Sequence, residues 1–92
     1  MYPSTVKAKL ARREPVLVFL SHLTDLAVQE LVGLMGFDCI WLDLEHHLYS
    51  LETAQEMMRA ARIGGVEVIA RPGRGELQRL MRMLEAGAHG IM

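Results

Sequence analysis

The sequence predicts an α/β fold with parallel strands, and three observations carry that prediction. Apolar runs of strand length recur at 15–20 (PVLVFL), 39–44 (CIWLDL) and 66–71 (VEVIAR). Between them lie longer segments with apolar residues at helical spacing. A glycine closes each of those segments, after Met35, Ile63 and Ala86. Parallel strands need a crossover, and a helix is the usual one. The strand runs are nearly continuous rather than alternating, as expected for strands covered on both faces.

The elements follow in order. After the first strand, 24–35 (TDLAVQELVGLM) places Val28, Leu31, Val32 and Met35 on one helical face. Thr24 or Asp25 can cap it, because a short side-chain oxygen accepts an orphan amide of the first turn. Gly36 ends it. Ser50 can cap a second helix over 51–63, with Leu51, Ala54, Met58 and Ala61 facing inward and Gly64 and Gly65 as the stop. A third helix is expected over 75–86, with Leu77, Leu80, Met81 and Leu84 inside and Gly87 beyond. The final GIM (90–92) reads as the opening of a fourth strand. The expectation is one partial domain over 1–92 that stops at the start of strand four. It is either a piece of a larger α/β protein or a small open sheet that completes itself by oligomerising, since open strand edges invite pairing.

Composition narrows the function classes. The chain has 92 residues, 51% hydrophobic and 23% charged, which suits one small globular domain. A net charge of −1 and 5% aromatic residues argue against a nucleic-acid partner, which wants a basic field and stacking rings. No apolar run is long enough for a membrane span. The basic start, MYPSTVKAKLARRE, lacks the apolar stretch of a secretory signal. One cysteine, Cys39, excludes an internal disulfide and suits a reducing, cytoplasmic setting. It lies within a strand and is expected in the core.

The chemistry-bearing residues gather where such folds place their sites, at the carboxyl ends of the strands. Ser21 and His22 follow the first strand. Asp43, Glu45, His46 and His47 end the second, and Arg71 ends the third, before Pro72. Each has a plain structural reading. Asp43 can accept amides at the strand end, Glu45 can pair with a surface base, and the histidines can be loop residues. Arg71 can pair with Asp43, or clamp a substrate carboxylate with its planar fork. The adjacent EHH residues point in different directions and lack the i, i+4 spacing of a helical metal site. The PGRG turn (72–75) matches no phosphate-binding pattern. Glu85 ends the third helix, where a negative charge opposes the helix dipole.

Taken together, GFD (36–38), the D-x-E-H of 43–46, the A-R-P of 70–72 and LEAGAHGIM (84–92) resemble the HpcH/HpaI aldolase/citrate lyase family of metal-dependent class II 2-oxo acid aldolases. The resemblance runs from about residue 15 to the end. It implies a (β/α)8 TIM barrel of which the chain holds the N-terminal part, about three and a half βα units. It implies a carbon–carbon lyase that acts on pyruvate or a related 2-oxo acid, with an aldehyde as the second small molecule, through a metal-stabilised enolate. His46 is the expected acid–base residue. Arg71 is expected to bind substrate at the ketone oxygen, and Asp43 to orient the site. Glu85 matches an acid, often Asp in relatives, that pairs with the histidine, in some cases across a subunit boundary. A divalent ion (Mg²⁺, Mn²⁺ or Co²⁺) is implied, with its Glu and Asp ligands on later strands and none within this chain. A homo-oligomer is implied as well. His47 and Leu48 stand where small residues are usual, so access to the site is expected to differ. Alone, the 92-residue chain is expected to be inactive. A related acyl-CoA lyase and a non-catalytic oligomerising fragment are the competing readings.

Overall fold

The computed structural model describes residues 3–92 as a four-stranded parallel sheet with four helices. In chain order these are α1 (Thr5–Ala11), β1 (Val18–Leu20), α2 (Leu26–Leu34), β2 (Cys39–Asp43), α3 (Leu51–Ile63), β3 (Glu67–Arg71), α4 (Leu77–Ala86) and β4 (Gly90–Ile91). The sheet order is β1-β2-β3-β4, so each helix after β1 is the crossover between neighbouring strands. This is the arrangement of the N-terminal βα units of a TIM barrel. Among the described residues, no helix is long and apolar enough to cross a membrane.

The predicted caps form. Asp25 accepts from the Ala27 amide at the start of α2, and Ser50 from the Thr53 amide at the start of α3. Gly87 ends α4 at φ +118°, a conformation that costs a side-chain-bearing residue strain. Helix α2 meets the capped end of α3 where Gly33 faces Gly64. A Cβ on Gly33 would lie 2.1 Å from the Gly64 carbonyl oxygen, so this contact admits no side chain.

Register divides the strand residues between two faces. Phe19, Ile40, Leu42, Val68 and Ala70 face the helices and build the core with Val32, Ala54, Met57, Met58, Ala61 and Met83. Val18, Leu20, Cys39, Trp41, Asp43, Glu67, Ile69 and Arg71 lie on the other face. That second face is not evenly covered. Its lower end is sealed by α1, which the sequence reading did not foresee. Glu67 accepts hydrogen bonds from the Ser4 and Thr5 hydroxyls and from the Thr5 and Val6 amides. Lys9 pairs with Asp38 at 2.6 Å. Thus α1 is fixed by polar contacts across the N-terminal ends of the strands, with only Val6 buried along it.

Two expected inward faces turn out differently. In α2, Val32 is buried and Val28 partly so, but Leu31 and Met35 are exposed, and Gln29 takes the buried place. Gln29 can lie there because Ser21 and the Leu23 and Asp25 carbonyls satisfy its amide. In α4, Leu77, Met81 and Leu84 are exposed, Leu80 is half-buried, and Met83 is the fully buried residue. The apolar stripe of α4 thus points away from the sheet and from α3.

Candidate active site

Strands β2 and β3 pair in register to their last residues, so Asp43 stands directly opposite Arg71. Both project from the face not covered by helices, at the carboxyl ends of the strands. The carboxylate of Asp43 takes two parallel bonds from the guanidinium, from Arg71 Nε at 3.0 Å and from Nη2 at 2.6 Å. The same carboxylate accepts the amides of Glu45 (3.0 Å) and His46 (3.3 Å), which folds the chain after β2 into a tight turn. Asp43 is 2% exposed. Its charge is nevertheless retained: the Arg71 bonds hold its carboxyl well below the usual range, burial opposes this, and the two amides add to it. Arg71 is raised in turn, chiefly by the hydrogen bond to Asp43.

Other groups complete the surround. The Asp43 amide donates to the Tyr49 hydroxyl at 2.9 Å, so the return of the loop toward α3 is tied to the strand end. Burial is the main cause raising the Tyr49 phenol. The Arg71 guanidinium lies 5.1 Å from the centre of the Trp41 ring, a cation–π distance. Glu45 approaches Arg71 Nε at 3.6 Å. With Nε and Nη2 turned to Asp43, Arg71 keeps Nη1 without a hydrogen-bond partner among the described residues. A cavity of about 460 Å³ opens beside it, lined by Glu45, Arg71 and the 72–77 turn.

The two histidines part company. The His46 side chain is 66% exposed, and its Nε2 lies 3.9 Å from Glu45 Oε2. That of His47 is 26% exposed, with Nε2 3.9 Å from Asp43 Oδ2. His47 also packs edge-on against His22 at 4.2 Å and lies parallel to the Tyr49 ring at 6.5 Å. The structure therefore gathers Asp43, Glu45, His46, His47, His22 and Arg71 at one end of the sheet. Ser21 is buried nearby and bonded to Gln29 and the Leu23 carbonyl. Glu85 stands apart, exposed on α4 in a different cavity lined by Leu51, Glu52, Gln55, Arg82 and Ala86. Tyr49 and Trp41 are the site neighbours that the sequence did not disclose.

Among the described residues, no group of three or more His, Cys, Asp and Glu side chains is arranged to hold a metal ion. Both oxygens of Asp43 are already engaged by Arg71. Cys39 is buried, and its thiol is pushed up to about 11 mainly by burial, which removes it as a ligand or nucleophile.

No protein-family model matches the chain, and no curated protein matches it. Solved structures do. The citrate synthase SbnG superposes with a TM-score of 0.87 at 25% identity, over 97% of this chain and 36% of that one. An HpcH/HpaI aldolase from Desulfitobacterium hafniense DCB-2 gives 0.86 at 24% identity, over 98% of this chain and 35% of that one. Macrophomate synthase gives 0.77 at 23% identity, over 94% and 30%. The chain spans about a third of the length of these structures. The chain thus shares its fold with proteins of the HpcH/HpaI aldolase/citrate lyase family.

Proposed function

We propose that this chain forms the N-terminal part of a carbon–carbon lyase barrel acting on pyruvate or a related 2-oxo acid, with an aldehyde as the second reactant. The observation that carries the reading is the Asp43–Arg71 pair, closed by two bonds at the strand ends and adjoined by two imidazoles. The aldolases and the citrate synthase among the structural neighbours are named for reactions that break or make a carbon–carbon bond. The substrate assignment rests on the motif resemblance.

The residues fit such chemistry. Asp43 fixes the plane of the guanidinium, which leaves Nη1 to donate to a ketone or carboxylate oxygen. Charge that develops on that oxygen when a C3 proton leaves would meet a donor already oriented. His46, exposed on a turn that Asp43 holds, is the base in this reading, since an imidazole can both take and return a proton near neutral pH. His47 and Tyr49 wall the site from the side of α3. Glu85 acts only where a neighbouring subunit brings it to the histidine, because within this chain it lies in another cavity.

A divalent ion belongs to the reading, and it would supply positive charge at the substrate oxygens. The described residues do not form its ligand set. The chain alone is accordingly predicted to be inactive. The reading also assigns it a cytoplasmic setting and a homo-oligomeric parent. Retro-aldol and oxaloacetate-decarboxylation assays of the full barrel, with Mn²⁺ or Mg²⁺ present, test the proposal. Loss of turnover in Arg71→Ala and His46→Ala with the fold intact supports it, and full activity in both rejects it. A second reading, an oligomerising α/β module without catalysis, draws on the exposed Leu77, Met81 and Leu84 of α4 and the open edge at β1. A stable assembly of the 92-residue chain would favour it.

A further inference from the structure

The opposite end of the sheet carries a second concave surface. A cavity of about 860 Å³ is lined by Pro3, Ser4, Lys7, Arg62, Leu84, Gly87, Ala88 and His89. A smaller one of about 350 Å³ shares Pro3, Arg62 and His89 with it. Three elements meet here: the start of α1, the last turn of α3 and the α4–β4 turn. The volume falls in the range of small-molecule sites.

Its charge is one-sided. Lys7 and Arg62 contribute two cations, and among the described residues neither forms an ion pair. The larger cavity has no acid in its lining. Glu67 lines the smaller one, but its carboxylate is spent on Ser4, Thr5 and the Val6 amide. His89 lines both cavities and adds a donor. Its Nδ1 accepts the Val68 amide at 3.2 Å, which leaves the proton on Nε2. The carbonyl ends of α3 and α4 also point to this end, and the cations must outweigh the partial negative charge of those helix ends. Gly64 and Gly65 amides cap α3, and Gly87 and Ala88 amides cap α4.

The Arg62 side chain runs along the α4–β4 turn. A Cβ on Gly87 would lie 2.5 Å from Arg62 Nη2, so the guanidinium rests against the glycine. A planar fork, a mobile ammonium and an imidazole N–H around one hollow match a multiply charged tetrahedral oxyanion. Leu84, Ala88 and Pro3 offer apolar walls for an organic body.

We propose that this hollow binds a small phosphorylated ligand, with Lys7, Arg62 and the His89 Nε2–H as its donors, at the end of the sheet remote from Asp43 and Arg71. The proposal does not depend on the lyase reading. Calorimetric titration of the chain with inorganic pyrophosphate, joined to proton NMR of the His89 ring, tests it. The expected result is saturable binding that shifts the His89 resonances. Affinity should fall about tenfold or more in Arg62→Gln and in Lys7→Gln, as loss of a charge-assisted contact implies. It should hold in Arg59→Gln, where the removed cation is one already paired with Glu56. Absence of saturation at millimolar pyrophosphate would overturn the proposal. So would unchanged affinity in the Lys7 and Arg62 variants, or an equal loss in Arg59→Gln, which would mark a response to net charge alone.

Discussion

Asp43 and Arg71 end neighbouring parallel strands in register and close on each other through two bonds, of 3.0 and 2.6 Å. The same carboxylate also organises the loop that carries His46 and His47. Site geometry and local stability therefore rest on one side chain. Asp43→Ala should cost about 1–3 kcal/mol, the range for losing hydrogen bonds to a charged group whose partner, Arg71, stays partly open to water. Urea denaturation of the two proteins measures it. A loss below about 1 kcal/mol would show that the pair is far more exposed to water than its burial implies.

Acid should unfold the chain by a related route. Arg71 chiefly holds the Asp43 carboxyl low; burial pushes the Glu67 carboxyl up, but the combined hydrogen bonds from Ser4, Thr5 and Val6 outweigh it and hold Glu67 low. A carboxyl whose folded pKa lies below its unfolded value, about 4, stabilises the fold fully above that unfolded value. The stabilisation drains away as pH falls through the folded value. The melting temperature should thus be flat from neutral pH to about 5 and decline below it. Glu67→Gln should make the decline shallower. A decline of unchanged steepness in that variant would remove Glu67 from the account.

The contact between α2 and α3 supplies a steric prediction. Alanine normally favours a helix over glycine by about 1 kcal/mol. At Gly33 the new Cβ meets the Gly64 carbonyl at 2.1 Å, and overpacking of this kind costs about 1–3 kcal/mol. Because backbone rather than a flexible side chain stands in the way, Gly33→Ala should be destabilising overall. A raised melting temperature would mean that the two helices separate easily.

Cys39 should be chemically silent in the native fold. Burial pushes its thiol up to about 11, so little thiolate exists at pH 8 and none is accessible. Iodoacetamide should label it only in denaturant. Rapid labelling of the folded chain would show that the lower end of the sheet opens.

The strands, the three crossover helices and their caps were legible because each follows from local residue chemistry. Asp25, Ser50 and Gly87 act within a turn of their own position. Helix α1 was not legible, because what holds it is a carboxylate 62 positions away. Nor could helical spacing say which side of α4 turns inward. It groups Leu77, Leu80, Met81 and Leu84, yet packing against α3 and the sheet buries Met83. At the site, strand-end positions announced Asp43 and Arg71. The Tyr49 hydroxyl bond to the Asp43 amide had no sequence signal, since any polar loop residue could occupy that position. The Glu45–His47 run showed that imidazoles would be present, but only the fold separates the exposed His46 from the half-buried His47.

The most direct test of the central claim is metal-dependent oxaloacetate decarboxylation by the full barrel, compared among wild type, Arg71→Ala, Arg71→Lys and His46→Ala. Turnover should fall at least about a hundredfold in Arg71→Ala and His46→Ala, in line with loss of an oriented charge donor or an acid–base group. Arg71→Lys should recover little of the activity, because an ammonium cannot hold Asp43 through two bonds and still present a free edge to substrate. Wild-type turnover in the Arg71 variants, with their folds confirmed by circular dichroism, would contradict it and leave the strand-end pair a structural clasp.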